Sequence, residues 1–188
     1  MTDLVILTTP RMILREFTQD DWQATLAYQS DPRYLRFYPW TQRTEPEVRD
    51  FINVFVAQQE EQPRRNFQLA LTQKSDGRLI GSGGVRVHNA AERQANLGYE
   101  LDPRFWRNGF ATEAVHALLR FGFQTLGMHR IYGECIVENT ASARVMEKNG
   151  MRQEAHFRDS TAFKGRWWDA LIYAIVEEEW RSSDADIP

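Results

Sequence analysis

Residues 97–114 read LGYELDPRFWRNGFATEA, and this stretch decides the fold. Leu97, Tyr99 and Leu101 alternate with Gly98 and Glu100, which is the period of a β-strand. Pro103 stops the strand, because it has no N–H to give to a ladder. Gly109 permits a positive φ and a close approach of the backbone, and a helix begins near Ala111. The first amides of a helix have no partner within it, and the helix dipole adds positive potential there. A strand, tight turn and helix in this order therefore form an anion site, worth about 0.3–1 kcal/mol per exposed charge. Arg104 and Arg107 add positive charge beside it, so a pyrophosphate is a natural guest. The segment is not a Walker A loop, since no Gly-Lys-Ser/Thr follows. Nor is it a dinucleotide fingerprint, since only one of the three glycines is present.

Working outward, residues 12–17 read as a first strand. Thr18 and Asp21 resemble a capping pair for a helix carrying Trp22, Leu26 and Tyr28, which Asp31-Pro32 ends. Residues 34–40 are aromatic and irregular. Thr44 and Glu47 form a capping box, with Pro46 in the first turn of a helix that places Val48, Phe51, Ile52 and Phe55 on one face. Residues 67–71 and 79–87 make a hairpin about Ser75-Asp76-Gly77, and residues 95–101 add a strand. After the central turn, Val115, Leu118, Leu119, Gly122 and Leu126 recur at helical spacing. Residues 130–137 are a strand, and 139–149 a short helix with Gly150 as its left-handed cap. Residues 151–156 and 170–176 supply the last strands. The order is βαα, a β-meander, then αβαββ. It argues against a doubly wound sheet and for an α+β (mixed α/β) fold: a mostly antiparallel central sheet with helices on both faces.

The chain of 188 residues has 42% hydrophobic and 26% charged residues and a net charge of −3. It reads as one domain over residues 1–181 with a flexible tail, 182–188. No basic stripe suggests nucleic acid, and Arg64-Arg65 reads as a solvated loop. The single cysteine, Cys135, lies in an apolar run, reads as a small core residue and fits a reducing cytoplasm. No signal peptide and no apolar run near 18 residues is visible, so the expectation is a cytoplasmic protein with no membrane contact. His88, His116, His129 and His156 lack metal-ligand spacing, so no metal is expected.

The central segment resembles the acetyl-CoA-binding motif of the GNAT superfamily, Gln/Arg-x-x-Gly-x-Gly/Ala. More narrowly it is similar to the ribosomal-protein N-terminal acetyltransferases, the RimJ/RimL-like branch. Three more segments agree in order: residues 7–17 (LTTPRMILREF), residues 139–151 (NTASARVMEKNGM), and Trp168-Asp169 to Tyr173 followed by Glu179-Trp180. The resemblance spans residues 4–181. Two positions depart from the superfamily pattern. Trp106 stands at the Gln/Arg position, and Arg107 follows where glycine is common. Arg107 is tolerable there if its φ is negative, and its charge helps the phosphates.

The resemblance implies the GNAT acyl-CoA N-acyltransferase fold and acetyl transfer from acetyl-CoA to a primary amine by direct attack. The pyrophosphate would sit on the amides of Arg107, Asn108, Gly109, Phe110, Ala111 and Thr112. The pantetheine arm would run beside Tyr99, Glu100 and Leu101, where this strand splays from residues 131–137, with Asn139 near it. Direct attack needs a neutral amine, hence a base, and a proton for the departing sulfur. Glu100 is the candidate base, with Glu134 and Glu138 on the neighbouring strand as alternatives; Glu100 otherwise reads as a solvated residue of the polar face. Ser142 is the candidate acid, and otherwise stabilises the turn that Asn139 caps. Phe37, Tyr38 and Trp40 form part of the acceptor wall or simply pack. The acceptor is a protein N-terminus or a small amine, and the protein a monomer or homodimer. The competing reading is an inactive acyl-CoA-binding regulatory module.

Overall fold

The computed structural model describes residues 4–184. Eight strands form one sheet in the order β1-β2-β3-β4-β5-β6-β8-β7. They are β1 (Ile6–Thr8), β2 (Met12–Glu16), β3 (Asn66–Gln73), β4 (Leu79–Asn89), β5 (Gln94–Leu101), β6 (Arg130–Ile136), β7 (Arg152–Phe163) and β8 (Arg166–Val176). Every neighbouring pair is antiparallel except β5 with β6.

The period-2 alternation of the strands feeds two separate apolar layers. Met12, Leu14, Leu69, Leu97 and Ile131 belong to one, together with Val115, Leu118 and Leu119 of α4 (Phe110–Arg120) and Met146 of α5 (Thr140–Lys148). Phe17, Ala70 and Leu79 belong to the other, with Tyr28 of α1 (Trp22–Gln29), Tyr34 and Leu35 of α2 (Pro32–Leu35), and Val48 and Ile52 of α3 (Glu45–Gln58). Both expected capping boxes are formed, at Thr18 and at Thr44. Gly122 follows α4 in a wide turn closed by Leu126 N–H to Phe121 O at 3.0 Å. A Cβ there would lie 2.4 Å from Ile131 Cδ1, so glycine lets this turn rest closely on the sheet without moving that side chain.

Several expectations are corrected. Residues 34–40 are not wholly irregular: Asp31 does not merely end α1 but caps α2, accepting from Arg33 N–H at 2.8 Å. The last two strands are longer than their apolar runs and form a hairpin turned at Lys164 and Gly165, because β7 is a mostly exposed edge whose polar residues hide its period. Arg64 is not solvated: its side chain is 8% exposed and meets Glu16, 7% exposed, at 2.7 Å. The tail expected from Ser182 begins inside α6 (Glu177–Asp184), and residues 185–188 lie outside the described residues.

Candidate active site

The stretch between β5 and α4 is a chain of local devices. The side chain of Asp102 caps a tight turn at Pro103–Phe105, accepting from Arg104 N–H at 2.9 Å. The Trp106 indole N–H returns to Leu101 O at 2.8 Å, and Asn108 Nδ2 donates to Trp106 O at 3.1 Å. Gly109 is left-handed, with φ 80°, and caps α4. Arg107 is left-handed as well, at φ 64°, so the negative φ that would make arginine easy to tolerate here is not what the turn adopts. It occupies the position where the resemblance has glycine, and the turn keeps the glycine conformation although the residue is arginine. Arg107, Asn108 and Gly109 are exposed. The first intrahelical bond is Glu113 N–H to Gly109 O at 3.1 Å, so the amides of Phe110, Ala111 and Thr112 lie in the unpaired first turn.

A strut not singled out from sequence holds this loop. Arg11, in the β1–β2 connection, donates its backbone N–H and its Nε to Glu113 at 2.8 and 2.7 Å. Its Nη1 donates to Asn108 O at 2.8 Å, and its guanidinium lies 4.3 Å from the Phe110 ring centroid. Thr9 Oγ1 adds a bond to Glu113 at 2.6 Å. Burial works against the Glu113 charge, but the bonds from Thr9 and Arg11 outweigh it and hold the carboxyl below its usual range. The Thr-Pro-Arg run was the only signal, and it does not say what the arginine reaches.

The sheet opens where the resemblance requires. β5 and β6 pair only from Gln94–Leu97 to Arg130–Gly133. Beyond that, β5 stays with β4 as far as Leu101 and β6 with β8 as far as Ile136. Residues 98–101 and 134–136 therefore edge a gap whose backbone groups are open to an extended ligand.

Consecutive residues on that edge face opposite layers. Tyr99 turns to α5, where its hydroxyl lies 2.8 Å from Ser142 Oγ and 2.9 Å from Ser142 O. Asn139 caps α5, its side chain accepting from Ser142 N–H at 3.3 Å. Burial pushes the neighbouring Cys135 thiol up to about 11, against a bond from Ser142, so it is a neutral thiol at pH 7 and a poor nucleophile.

Glu100 turns to α1 and α2 and is not a solvated residue. Oε1 accepts from Tyr28 Oη at 2.5 Å, Gln29 Nε2 at 3.1 Å and Ser82 Oγ at 3.1 Å; Oε2 accepts from Tyr34 Oη at 2.5 Å. Burial, then the Glu100 charge, holds both phenols far above their ordinary value, so they remain donors. The alternative carboxylates are less placed for chemistry. Glu134 is exposed on β6, and Glu138 lies not on the strand but in the turn after it, paired with Arg166 at 3.1 Å.

Phe37, Tyr38 and Trp40 are engaged in packing. Phe37 meets Trp168 edge-on at 6.3 Å, and Tyr38 is stacked between Tyr34 at 4.5 Å and Trp40 at 4.8 Å. The open cleft nearby, about 460 Å³, is lined instead by Ser30, Pro32, Leu35, Thr41, Gln42, Arg43 and Lys164. Among the described residues no cluster of side chains could hold a metal ion.

The sequence matches the family described as "Acetyltransferase (GNAT) domain" over residues 11–152. It is 36% identical over 174 residues to an uncharacterized N-acetyltransferase of Bacillus subtilis, YnaD, covering 93% of this chain and 98% of that one. It is 25% identical to the [ribosomal protein uS5]-alanine N-acetyltransferase of Escherichia coli, covering 94% and 93% of the two chains. The fold is similar to the crystal structure of a GNAT-family acetyltransferase from Bacillus anthracis, with TM-score 0.80, 32% identity, and 93% and 99% of the chains covered.

Proposed function

The chain belongs to the acetyltransferase (GNAT) family, and from that premise we propose that it transfers an acetyl group from acetyl-CoA to a primary amine by direct attack in a ternary complex. The acceptor in this proposal is a protein N-terminal α-amine or a small amine, within the RimJ/RimL-like branch; the similarity to a relative named for acetylating an alanine of ribosomal protein uS5 supports the first. Among the described residues no helix is long and apolar enough to cross a membrane, and we propose a cytoplasmic site of action.

The observation that carries the reading is the gap beyond Leu97 and Gly133, with Glu100 on one face and Ser142 on the other. The co-substrate fits the residues present. The unpaired amides at the start of α4 and the left-handed turn before them suit a pyrophosphate, and the open edge of β5 suits an extended amide arm. Acetyl-CoA supplies a thioester electrophile. Glu100 faces the side from which an amine can enter. Its Oε2 accepts the Tyr34 hydroxyl and keeps room for the amine proton, whereas Oε1 already takes three donors. Ser142 Oγ stands on the other face and supplies the proton that the departing sulfur takes up. Tyr99 contacts Ser142 Oγ and can return a proton to it. With Cys135 neutral and buried, no acyl-cysteine step is invoked.

The test is melting with and without saturating acetyl-CoA, followed by thiol release with a panel of amines. Ligand at about 100 times Kd stabilises by about 2.7 kcal/mol. At about 2–4 °C per kcal/mol this is a rise of several degrees, absent with adenine alone. No shift at millimolar acetyl-CoA would overturn the reading. A shift without thiol release from any amine would support an acyl-CoA-binding regulatory module instead.

A further inference from the structure

Two arginines that do not touch Glu100 are joined to it by side-chain amides. Arg86 of β4 donates through Nη2 to Gln68 Oε1 at 2.8 Å, and Gln68 Nε2 donates to Ser82 Oγ at 3.0 Å. Ser82 Oγ meets Glu100 Oε1 at 3.1 Å. On the other side, Arg43 Nε donates to Gln29 Oε1 at 3.1 Å, and Gln29 Nε2 donates to Glu100 Oε1 at 3.1 Å.

The direction of each chain follows from chemistry. A guanidinium has only donors, so each glutamine must present its oxygen to the arginine and its NH₂ to the next group. Ser82 Oγ accepts a hydrogen bond from Gln68 and has one O–H of its own, which it donates to Glu100. The glutamine that begins each relay therefore cannot be reversed while its arginine is in place. We propose that Arg86 and Arg43 are positioning residues that hold Glu100 as a hydrogen-bond-accepting anion through Gln68–Ser82 and Gln29. The proposal rests on the reading of Glu100 as the base.

Two glycines border these relays: a Cβ on Gly98 would lie 2.8 Å from Arg86 Nη1, and one on Gly84 would meet the Phe67 backbone oxygen at 2.4 Å as well as Gln68 Oε1 at 2.5 Å. Asn96 Oδ1 accepts from Arg86 Nη1 at 3.0 Å, and Arg43 lies 4.9 Å from the Trp40 ring centroid. Among the described residues no carboxylate pairs directly with Arg86, and a partly buried cation facing two neutral amides is costly unless an anion lies beyond them. Burial pulls Arg86 below its ordinary value, and the charge of Glu100 pushes the other way.

The consequence is a distinction between the two carboxylate oxygens. Tyr28, Gln29 and Ser82 all aim at Oε1, and the last two are fixed in direction. A proton taken from the amine is therefore received at Oε2, and the Tyr34 hydroxyl turns to allow it. The other ionisable groups that bear on Glu100 are Tyr28 of α1, Tyr34 of α2, Tyr38 after it and Arg86 of β4, with Glu134 exposed on the neighbouring β6.

The experiment uses the full chain and the variants Arg86→Met, Gln68→Leu, Arg43→Met and Arg86→Lys, each first shown to be folded and to keep its melting shift with acetyl-CoA. Two readouts are taken. One is the acid limb of the pH profile of kcat/KM for a single amine at saturating acetyl-CoA. The other is the pH at which the NH₂ signals of Gln29 and Gln68 shift together in NMR of the labelled protein. In Arg86→Met and Gln68→Leu both move to higher pH by about half a unit or more, less than the 1–3 units of an adjacent charge. Arg43→Met shifts in the same direction, and Arg86→Lys restores most of the change. Limbs and signals that stay at the wild-type pH, whatever happens to the rate, would overturn the proposal and leave the relays as packing only. If the wild type releases no thiol, the acetyl-transfer reading fails on its own, and the amide signals still decide the relay. If one variant does not fold, the others carry the same test.

Discussion

The loop at residues 103–110 and the surroundings of Glu100 are two halves of one site built in opposite ways. The loop is local: its caps and bonds join residues within five positions of one another, and among the described residues Arg11 alone reaches it with a side-chain hydrogen bond from far away. The Glu100 cage is assembled from a distance, since Tyr28 and Gln29 are 72 and 71 positions away and Tyr34 is 66. One half presents backbone amides held by turn geometry, and the other presents side chains held by tertiary packing. A local device tolerates change elsewhere in the chain, whereas an assembled one depends on every element that supplies it.

The largest expected effect breaks the site on the assembled side alone. Glu100→Gln removes the base and leaves the loop untouched. Thiol release at saturating acetyl-CoA should fall by about 10²–10⁴-fold, while the melting shift with acetyl-CoA stays at the wild-type size. A kcat within a factor of three of wild type would remove Glu100 from the chemistry. The converse break is Gly109→Val. Its φ of 80° is strained for any β-branched residue, and the added Cβ would lie 3.3 Å from Arg11 Nη2. A strain of about 1–2 kcal/mol per left-handed residue predicts a KM for acetyl-CoA raised about tenfold, with kcat largely kept. A fall in kcat at unchanged KM would mean that the two halves are not separable.

This contrast also sets what the sequence could show. The strand, Pro103, the left-handed Gly109 and the start of the helix are written in consecutive residues, and the structure forms them in that order. Both capping boxes were legible for the same reason. Glu100 was legible as a candidate but not its surroundings: nothing local says that Tyr28, Gln29 and Tyr34 converge on it, or that Phe37 is occupied with Trp168 and Tyr38 with Tyr34 and Trp40. The opposite conformation at Arg107 shows the limit of local reading.

A smaller effect sharpens the dependence of the cage on its supporting elements. Asp21 stands at the start of α1, which carries Tyr28 and Gln29, and accepts from Arg15 Nη1 and Nη2, both at 2.8 Å. Burial opposes its charge, but the bonds from Arg15 and Thr18 prevail and hold the carboxyl below its usual range. A carboxyl lowered by folding contributes stability that is present above its unfolded value, near pH 4, and is lost as pH falls through the folded value. The melting temperature should therefore decline below about pH 4, and more shallowly in Asp21→Asn. At pH 7 that variant should lose about 2 kcal/mol, the scale of a hydrogen bond to a charged group. Equal acid slopes in the two proteins would show that this pair does not hold α1.

The smallest effect tests the loop at its least expected point and has opposite signs for stability and for binding. Arg107 is exposed and left-handed at φ 64°. Arg107→Gly relieves a cost of about 1–2 kcal/mol and gives up part of it to the greater freedom of glycine in the unfolded chain, about 0.5–1 kcal/mol. The unliganded protein should therefore melt at the same temperature or slightly higher. The same change removes a positive charge beside the amides of α4, worth about 0.3–1 kcal/mol toward an anion, so acetyl-CoA should bind a few-fold more weakly and more so at low salt. If instead the variant melts several degrees lower, the residue is not left-handed in solution, because glycine destabilises only where the native φ is ordinary. The loop would then owe its shape to the arginine side chain, and the division between a local half and an assembled half would no longer hold.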